Sequence, residues 1–217
     1  MGDDTGSRPG TGEDRPAAAA VVARVAEARV AGSAAPFVVL VEGSSDVAAI
    51  ETLAARRGKD LRARGVIVTE MGGATNAGYF LELCGPTGLD VRLAGLCDAA
   101  EEGYFQRALE RTGLGPNRTR AEREALGFFT CVADLEDELI RALGREEVER
   151  VIDEQGELAS FRILQQQPAH RGRSAESQLR RFLGTRSGRK HHYARVLVEA
   201  LDLDRVPRPL HQLIEGC

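Results

Sequence analysis

The sequence predicts an α/β fold: a parallel four-stranded sheet flanked by helices, extended at its C-terminal end by helices alone. Three observations lead there. The short apolar runs FVVLV, VIVT, VRLAGL and FFTCVA are rich in β-branched residues, as strands buried on both faces are. Amphipathic stretches separate them, and strand alternating with helix at this spacing implies a parallel sheet with right-handed crossovers. Beyond Asp134 only helical patterns remain.

In chain order, Met1 to Pro16 mixes charges with Gly and Pro, lacks the basic start and apolar stretch of a secretion signal, and reads as a disordered lead. Residues 17–30 are Ala-rich with helical spacing, and Gly32 follows as a stop. The strands are expected at 37–41, 66–69, 91–96 and 128–133, with helices between them at 46–57, 75–84 and 101–112. Further helices are expected at 135–143, 145–155, 174–183, 190–201 and near 209–215. This pattern divides the chain into the lead 1–16, an α/β unit over 17–144 and a helical subdomain over 145–217.

Composition excludes several classes. With 42 % hydrophobic and 29 % charged residues the 217-residue chain is ordinary for a globular protein, and no apolar run approaches the roughly 20 residues of a membrane helix. A cytoplasmic protein without a membrane partner is the expectation. Cys84, Cys97, Cys131 and Cys217 form no CxxC pair and have no His at zinc-finger spacing, so reduced, buried thiols are expected. The net charge of -4 is uneven: from Phe161 onward eleven Arg or Lys stand against five Asp or Glu. Acid in front and base behind suits a metal-dependent enzyme acting on a polyanion, and equally suits a solvated helical tail.

Ligand sites of parallel sheets lie beyond the carboxyl ends of the strands. There the first strand closes with Glu42 in LVEGSSD, the third with Asp98 in GLCDAAEE, and the fourth with Asp134 in VADLEDEL. The second closes near Gly72-Gly73 in TEMGGATN. Each acid also has a local reading: Asp98 with Glu101, and Asp134 with Asp137, have capping-box spacing, and Asp46 sits in a first helical turn. Glu42 has no such reading, because Glu caps helices poorly and ends an apolar strand oddly. Like charges about 4 Å apart repel by roughly 4 kcal/mol at an effective dielectric of about 20, so several carboxylates in one cleft call for a cation. All-oxygen donors point to Mg2+ or Mn2+.

The order of EGSSD after a buried strand, MGGATN, LCDAAEE and DLEDEL resembles a TOPRIM domain, the Rossmann-like fold shared by topoisomerases, bacterial primases and several nucleases. It is most similar to the TOPRIM module of the OLD (overcoming lysogenization defect) endonucleases, over roughly residues 36–200. The resemblance implies metal binding at Glu42 and Asp46, at Asp98, and at Asp134 with Glu136, Glu138 being an alternative second member. Its Asp-x-Asp falls on Asp98-Ala99-Ala100, so the second carboxylate is missing, and Glu101 or Glu102 stands near enough to substitute. A late lysine that meets the phosphate maps to Lys190 in SGRKHHYA, one of only two lysines in the chain with Lys59.

Catalysis is thereby expected from Glu42, Asp98 and Lys190. Phosphate or nucleic-acid contact is expected from Gly72, Gly73, Arg186, Arg189, Arg195, Lys190 and His191, with His192 as a further candidate base. No GxxxxGK[ST] loop is present, so the implied protein acts alone or with a partner ATPase, as monomer or homodimer. Two readings stay open. One is a Mg2+- or Mn2+-dependent nuclease acting on DNA more than RNA; the other is a TOPRIM module that binds nucleic acid or nucleotide without turnover, or serves as an effector subunit.

Overall fold

The structure, a computed structural model, describes residues 14–30, 35–115, 119–184 and 188–217. The element order is α1 (Asp14–Val30), β1 (Phe37–Val41), α2 (Ser44–Arg56), β2 (Val66–Glu70), α3 (Ala77–Cys84), β3 (Arg92–Cys97), α4 (Glu102–Thr112), α5 (Arg120–Ala125) and β4 (Phe128–Thr130). Then follow α6 (Leu135–Leu143), α7 (Arg145–Glu154), α8 (Leu158–Gln166), α9 (Ala175–Leu183), α10 (Arg189–Ala200) and α11 (Arg208–Gly216). Helix α1 starts ahead of Ala17, because Pro16 lies within the first turn, where no intrahelical N–H is required. The expected lead otherwise lies outside the described residues.

The four strands are all parallel in the order β2-β1-β3-β4. Side chains of β1 alternate between two cores. Phe37, Val39 and Val41 join α2 and the helices from α6 to α11, while Val38 and Leu40 join α1, α3 and α4. Both faces are covered, which is why the strand reads as one continuous apolar run. Gly95 in β3 permits a close approach there, since a Cβ would lie 2.9 Å from Phe128 Cδ1 and 3.1 Å from the Leu40 carbonyl. β4 is shorter than the apolar run FFTCVA: Cys131 still donates to the Cys97 carbonyl at 2.9 Å and the Ala133 carbonyl accepts from Ala99 at 3.1 Å, but between them the Val132 N–H turns to Glu138 at 2.7 Å.

From β1 the chain steps to β2 over one face through α2, then crosses back to β3 over the other face through α3. Right-handed crossovers in opposite directions require that change of face. A topological switch point therefore opens between β1 and β3, at the edge where Glu42 and Asp98 emerge.

The helices after Arg145 share the core that holds α2 against the sheet. Helix α10 lies parallel to α2: Arg56 donates to the carbonyls of Val198 and Leu201 at 2.7 and 2.6 Å, and His191 Nδ1 meets the Ser44 carbonyl at 3.1 Å. The start of α10 is thereby fixed beside the start of α2. All four cysteines are free, with Cys84, Cys97 and Cys131 buried and Cys217 half-buried. Among the described residues no helix is long and apolar enough to cross a membrane.

Leu197 lies wholly buried in α10 within this shared core. Its replacement by Ala is expected to cost about 2–5 kcal/mol, read as a lowered urea midpoint. An unchanged midpoint would show that α10 does not pack as described.

Candidate functional site

Parallel register aligns the carboxyl ends of β1 and β3, so the acids that follow them meet. Glu42 follows β1 directly, and Asp98 follows β3 and opens a 3-10 turn over Ala99–Glu101. The Asp98 side chain makes no cap hydrogen bond, which removes the capping-box explanation for Asp98 and Glu101. The tight turn brings Glu101 round instead: one carboxylate oxygen each from Glu42, Asp98 and Glu101 lies within 4.8 Å of the others. Glu42 lies against Glu101 and favours the neutral form of the Glu101 carboxyl. Of the two candidate substitutes for the missing acid, Glu101 joins the cluster. Glu102 is held away in an ion pair with buried Arg123.

The acids open into a cleft of about 410 Å³ lined by Glu42, Gly43, Ser44, Ser45, Asp46, Glu70, Gly72, Gly73, Asp98, Leu135, Glu136 and Lys190. Asp46 reaches back along α2 to accept the Gly43 N–H at 3.0 Å, so it serves the helix start while facing the cleft. Glu136 is 7 % exposed; one of its oxygens lies 3.1 Å from Lys190 Nζ, and its Oε1 is buried without a hydrogen-bond partner. Glu101 Oε2 is likewise buried and unpartnered. Gly72 and Gly73 turn the chain with φ of 71° and 120°, a region that side chains disfavour, and the Gly73 N–H donates to the Glu42 carbonyl at 3.1 Å.

The remaining expected residues take other positions. Asp134 does cap α6, accepting the Asp137 N–H at 2.8 Å, and its second oxygen pairs with Arg180. It stands at the margin of the cluster, near enough to raise the Asp98 pKa. Glu138 turns into the loop before α6, where it accepts from Val132 and pairs with Arg141, each at 2.7 Å. Arg189, expected on a nucleic-acid surface, is 7 % exposed: it donates to the Phe182 carbonyl at 3.2 Å and to Glu157 at 2.6 Å. Arg195 pairs with Glu199 at 2.6 Å and His192 with Gln155 at 2.9 Å, while Arg186 lies outside the described residues. Two charged residues beside the acids were not read from the sequence. Glu70 is one, although it closes VIVTE as Glu42 closes FVVLV; Arg180 is the other, and nothing local marks it as a partner of Asp134.

Crowding shows in the protonation equilibria. Burial, then Asp46, Glu42, Asp134 and Glu136, push Asp98 up from 3.8 to about 7. Asp46 rises from 3.8 to about 6 through burial; the Gly43 N–H and Lys190 oppose the rise, whereas Glu136 and Glu42 add to it. Glu101 is raised by burial and by its hydrogen bond to Glu42. Burial opposes the Lys190 charge, but Glu136 outweighs it and holds the ammonium above its usual value. A divalent cation fits this donor set: the ligand atoms are all oxygens, Glu101 Oε2 and the flanking Glu136 Oε1 are buried without partners among the described residues, and the acids repel one another.

A carboxylate with a raised folded pKa keeps its proton where the unfolded chain has lost it, so stability falls as pH climbs through the window between the two values. For Asp98 that window runs from 3.8 to about 7, and for Asp46 from 3.8 to about 6. The urea midpoint of the metal-free protein is expected to fall from about pH 5 to about pH 8, and Asp98→Asn to flatten the slope and raise the alkaline end. Equal slopes for the two proteins would exclude the crowding.

Comparison with known proteins gives a consistent answer. Residues 35–99 match the family model "Overcoming lysogenization defect protein-like, TOPRIM domain". The C-terminal region of the Burkholderia pseudomallei OLD protein superposes with a TM-score of 0.63 at 21 % identity, covering 83 % of this chain and 96 % of that one. The corresponding region of the Xanthomonas campestris pv. campestris OLD protein, phased with platinum, gives 0.65 at 24 % identity, covering 83 % and 91 %. No curated protein matches the sequence. Residues 35–99 thus carry an OLD-like TOPRIM domain, and the chain folds as the C-terminal regions of OLD proteins do.

Proposed function

We propose that this chain is a Mg2+- or Mn2+-dependent nuclease that hydrolyses phosphodiester bonds, in DNA more than in RNA. The observation that carries the reading is the meeting of Glu42, Asp98 and Glu101 at the switch point, next to unpartnered carboxylate oxygens and a lysine. These three would hold the ion, with Asp46 and Glu136 flanking it and Asp134 at the margin. Bound there, the ion would supply Lewis acidity and a water of lowered pKa.

The chain's own groups do the rest. Burial and the neighbouring Glu42 favour the protonated form of Glu101, and cation binding would compete with that proton. Lys190 Nζ places a positive charge at the cleft wall, where it can meet charge that grows on a phosphate during displacement. The glycine turn at Gly72-Gly73 keeps one wall free of side chains, so a sugar-phosphate backbone can approach.

One observation favours a binding module without turnover: Ala100 stands where the resembling family has its second aspartate. In that reading Glu101 holds the cation without activating water, or a separate ATPase is required as partner.

Supercoiled plasmid incubated with Mn2+ separates the two readings. Metal-dependent nicking is expected, reduced at least about a hundredfold by Glu42→Ala and by Lys190→Ala, with Lys190→Arg restoring little because a guanidinium fork does not replace a compact ammonium. Metal-dependent binding with no nicking from any preparation would leave the module reading standing. Ala100→Asp tests the Glu101 assignment: activity should fall, because the new acid competes for a place already filled, and a rise would remove Glu101 from the ligand set.

A further inference from the structure

Two of the large apolar side chains exposed on the surface are tyrosines, and each follows one of the cleft's own loops. Tyr104, 42 % exposed, lies in the first turn of α4, three residues past Glu101. Tyr79, 40 % exposed, lies in the first turn of α3, which begins shortly after the cleft glycines Gly72 and Gly73. Arginines connect them. The Arg107 guanidinium stands over the Tyr104 ring at 5.0 Å. One turn further, Arg111 reaches across to α3 at Gly78, where a Cβ would collide with its Nη2. Its carboxylate neighbour, Glu82, is a loose partner at 3.9 Å, with both side chains mostly exposed.

Residues 104, 107 and 111 are three and four apart, so they share one face of α4, and Arg111 extends that face onto the start of α3 at Gly78, next in sequence to Tyr79. Two exposed rings and two guanidiniums thus lie on α3 and α4, both of which begin just past loops of the acidic cleft. Unpaired nucleotides offer the matching surface, because their bases expose faces for stacking and their phosphates lie alongside. A duplex keeps its base faces inside the stack and can use only the cations.

Resting on the nuclease reading, we propose that Tyr104, Arg107, Arg111 and Tyr79 form a track that stacks unpaired bases and guides a single strand into the cleft. The substrate class is then single-stranded or locally melted nucleic acid.

The chain contains no Trp and three Tyr, and the third, Tyr193, is 1 % exposed and donates to Glu157 at 2.8 Å. Stacking on the track is therefore readable as quenching of intrinsic tyrosine emission. Oligothymidylate is titrated into the full-length protein with calcium in place of magnesium, and labelled oligothymidylate and a blunt duplex of equal length are followed by anisotropy. Quenching by the single strand is expected. The double variant Tyr79→Ala/Tyr104→Ala should bind oligothymidylate about tenfold or more weakly with duplex binding little changed, whereas the double Phe variant keeps the affinity. Wild-type emission that stays unquenched, or an Ala variant that binds oligothymidylate as tightly as wild type, overturns the track. Manganese-dependent nicking by the wild type is read separately, so a failed nuclease reading and a failed track are told apart.

Discussion

Mutual repulsion among carboxylates is the constraint around which this molecule is arranged. Parallel register forces the ends of β1 and β3 to emerge side by side, and both continue into acids. Placing Glu42, Asp98 and Glu101 within 4.8 Å of one another is unfavourable for an isolated protein, and burial together with the neighbouring acids raises the pKa of Asp98. A fold selected for stability alone would put apolar or neutral side chains there. The surrounding cations are drawn to the flanking acids: Lys190 meets Glu136, Arg180 meets Asp134 and Arg123 meets Glu102. Residual negative charge is thus concentrated at the one edge where a parallel sheet offers open space.

The two cores give this edge its rigidity. Helices α3 and α4 cover one face of the sheet, and α2 with the helices from α6 onward covers the other, so every strand end is braced from both sides. Helix α2 has a double task. Its first turn carries Asp46 into the cleft, and its length is the surface on which α10 lies parallel, bound at both ends through Ser44 and Arg56. Packing and chemistry are coupled through that pair, since a shift of α10 would move Lys190 away from Glu136.

What could be read from the sequence follows from which forces act locally. The strands were legible because burial on both faces removes polar residues from them, and Glu42 stood out against such a run. Asp98 was ambiguous, since an acid three residues after another serves a capping box and a 3-10 turn equally; only the absence of a cap bond in the fold separates them. Glu70 escaped notice because the second strand was ended one residue early, at Thr69. Helices α5 and α8 were missed: the first has only six residues, and the second exposes Ile163 at 64 %, which blurs its apolar face. Arg189 illustrates the limit of charge as a signal. A guanidinium stacked on Phe182 and tied to Glu157 looks in sequence like any surface arginine. The pairing of Arg180 with Asp134 depends on contacts between distant segments and left no local mark.

The far placement of Lys190 along the chain also bears on how the protein is made. Domains fold as units as synthesis proceeds, and one face of the sheet shares its core with α10, so the acidic edge is braced only once these late helices have emerged. The acids and the lysine beside them are therefore set in place in the same folding step.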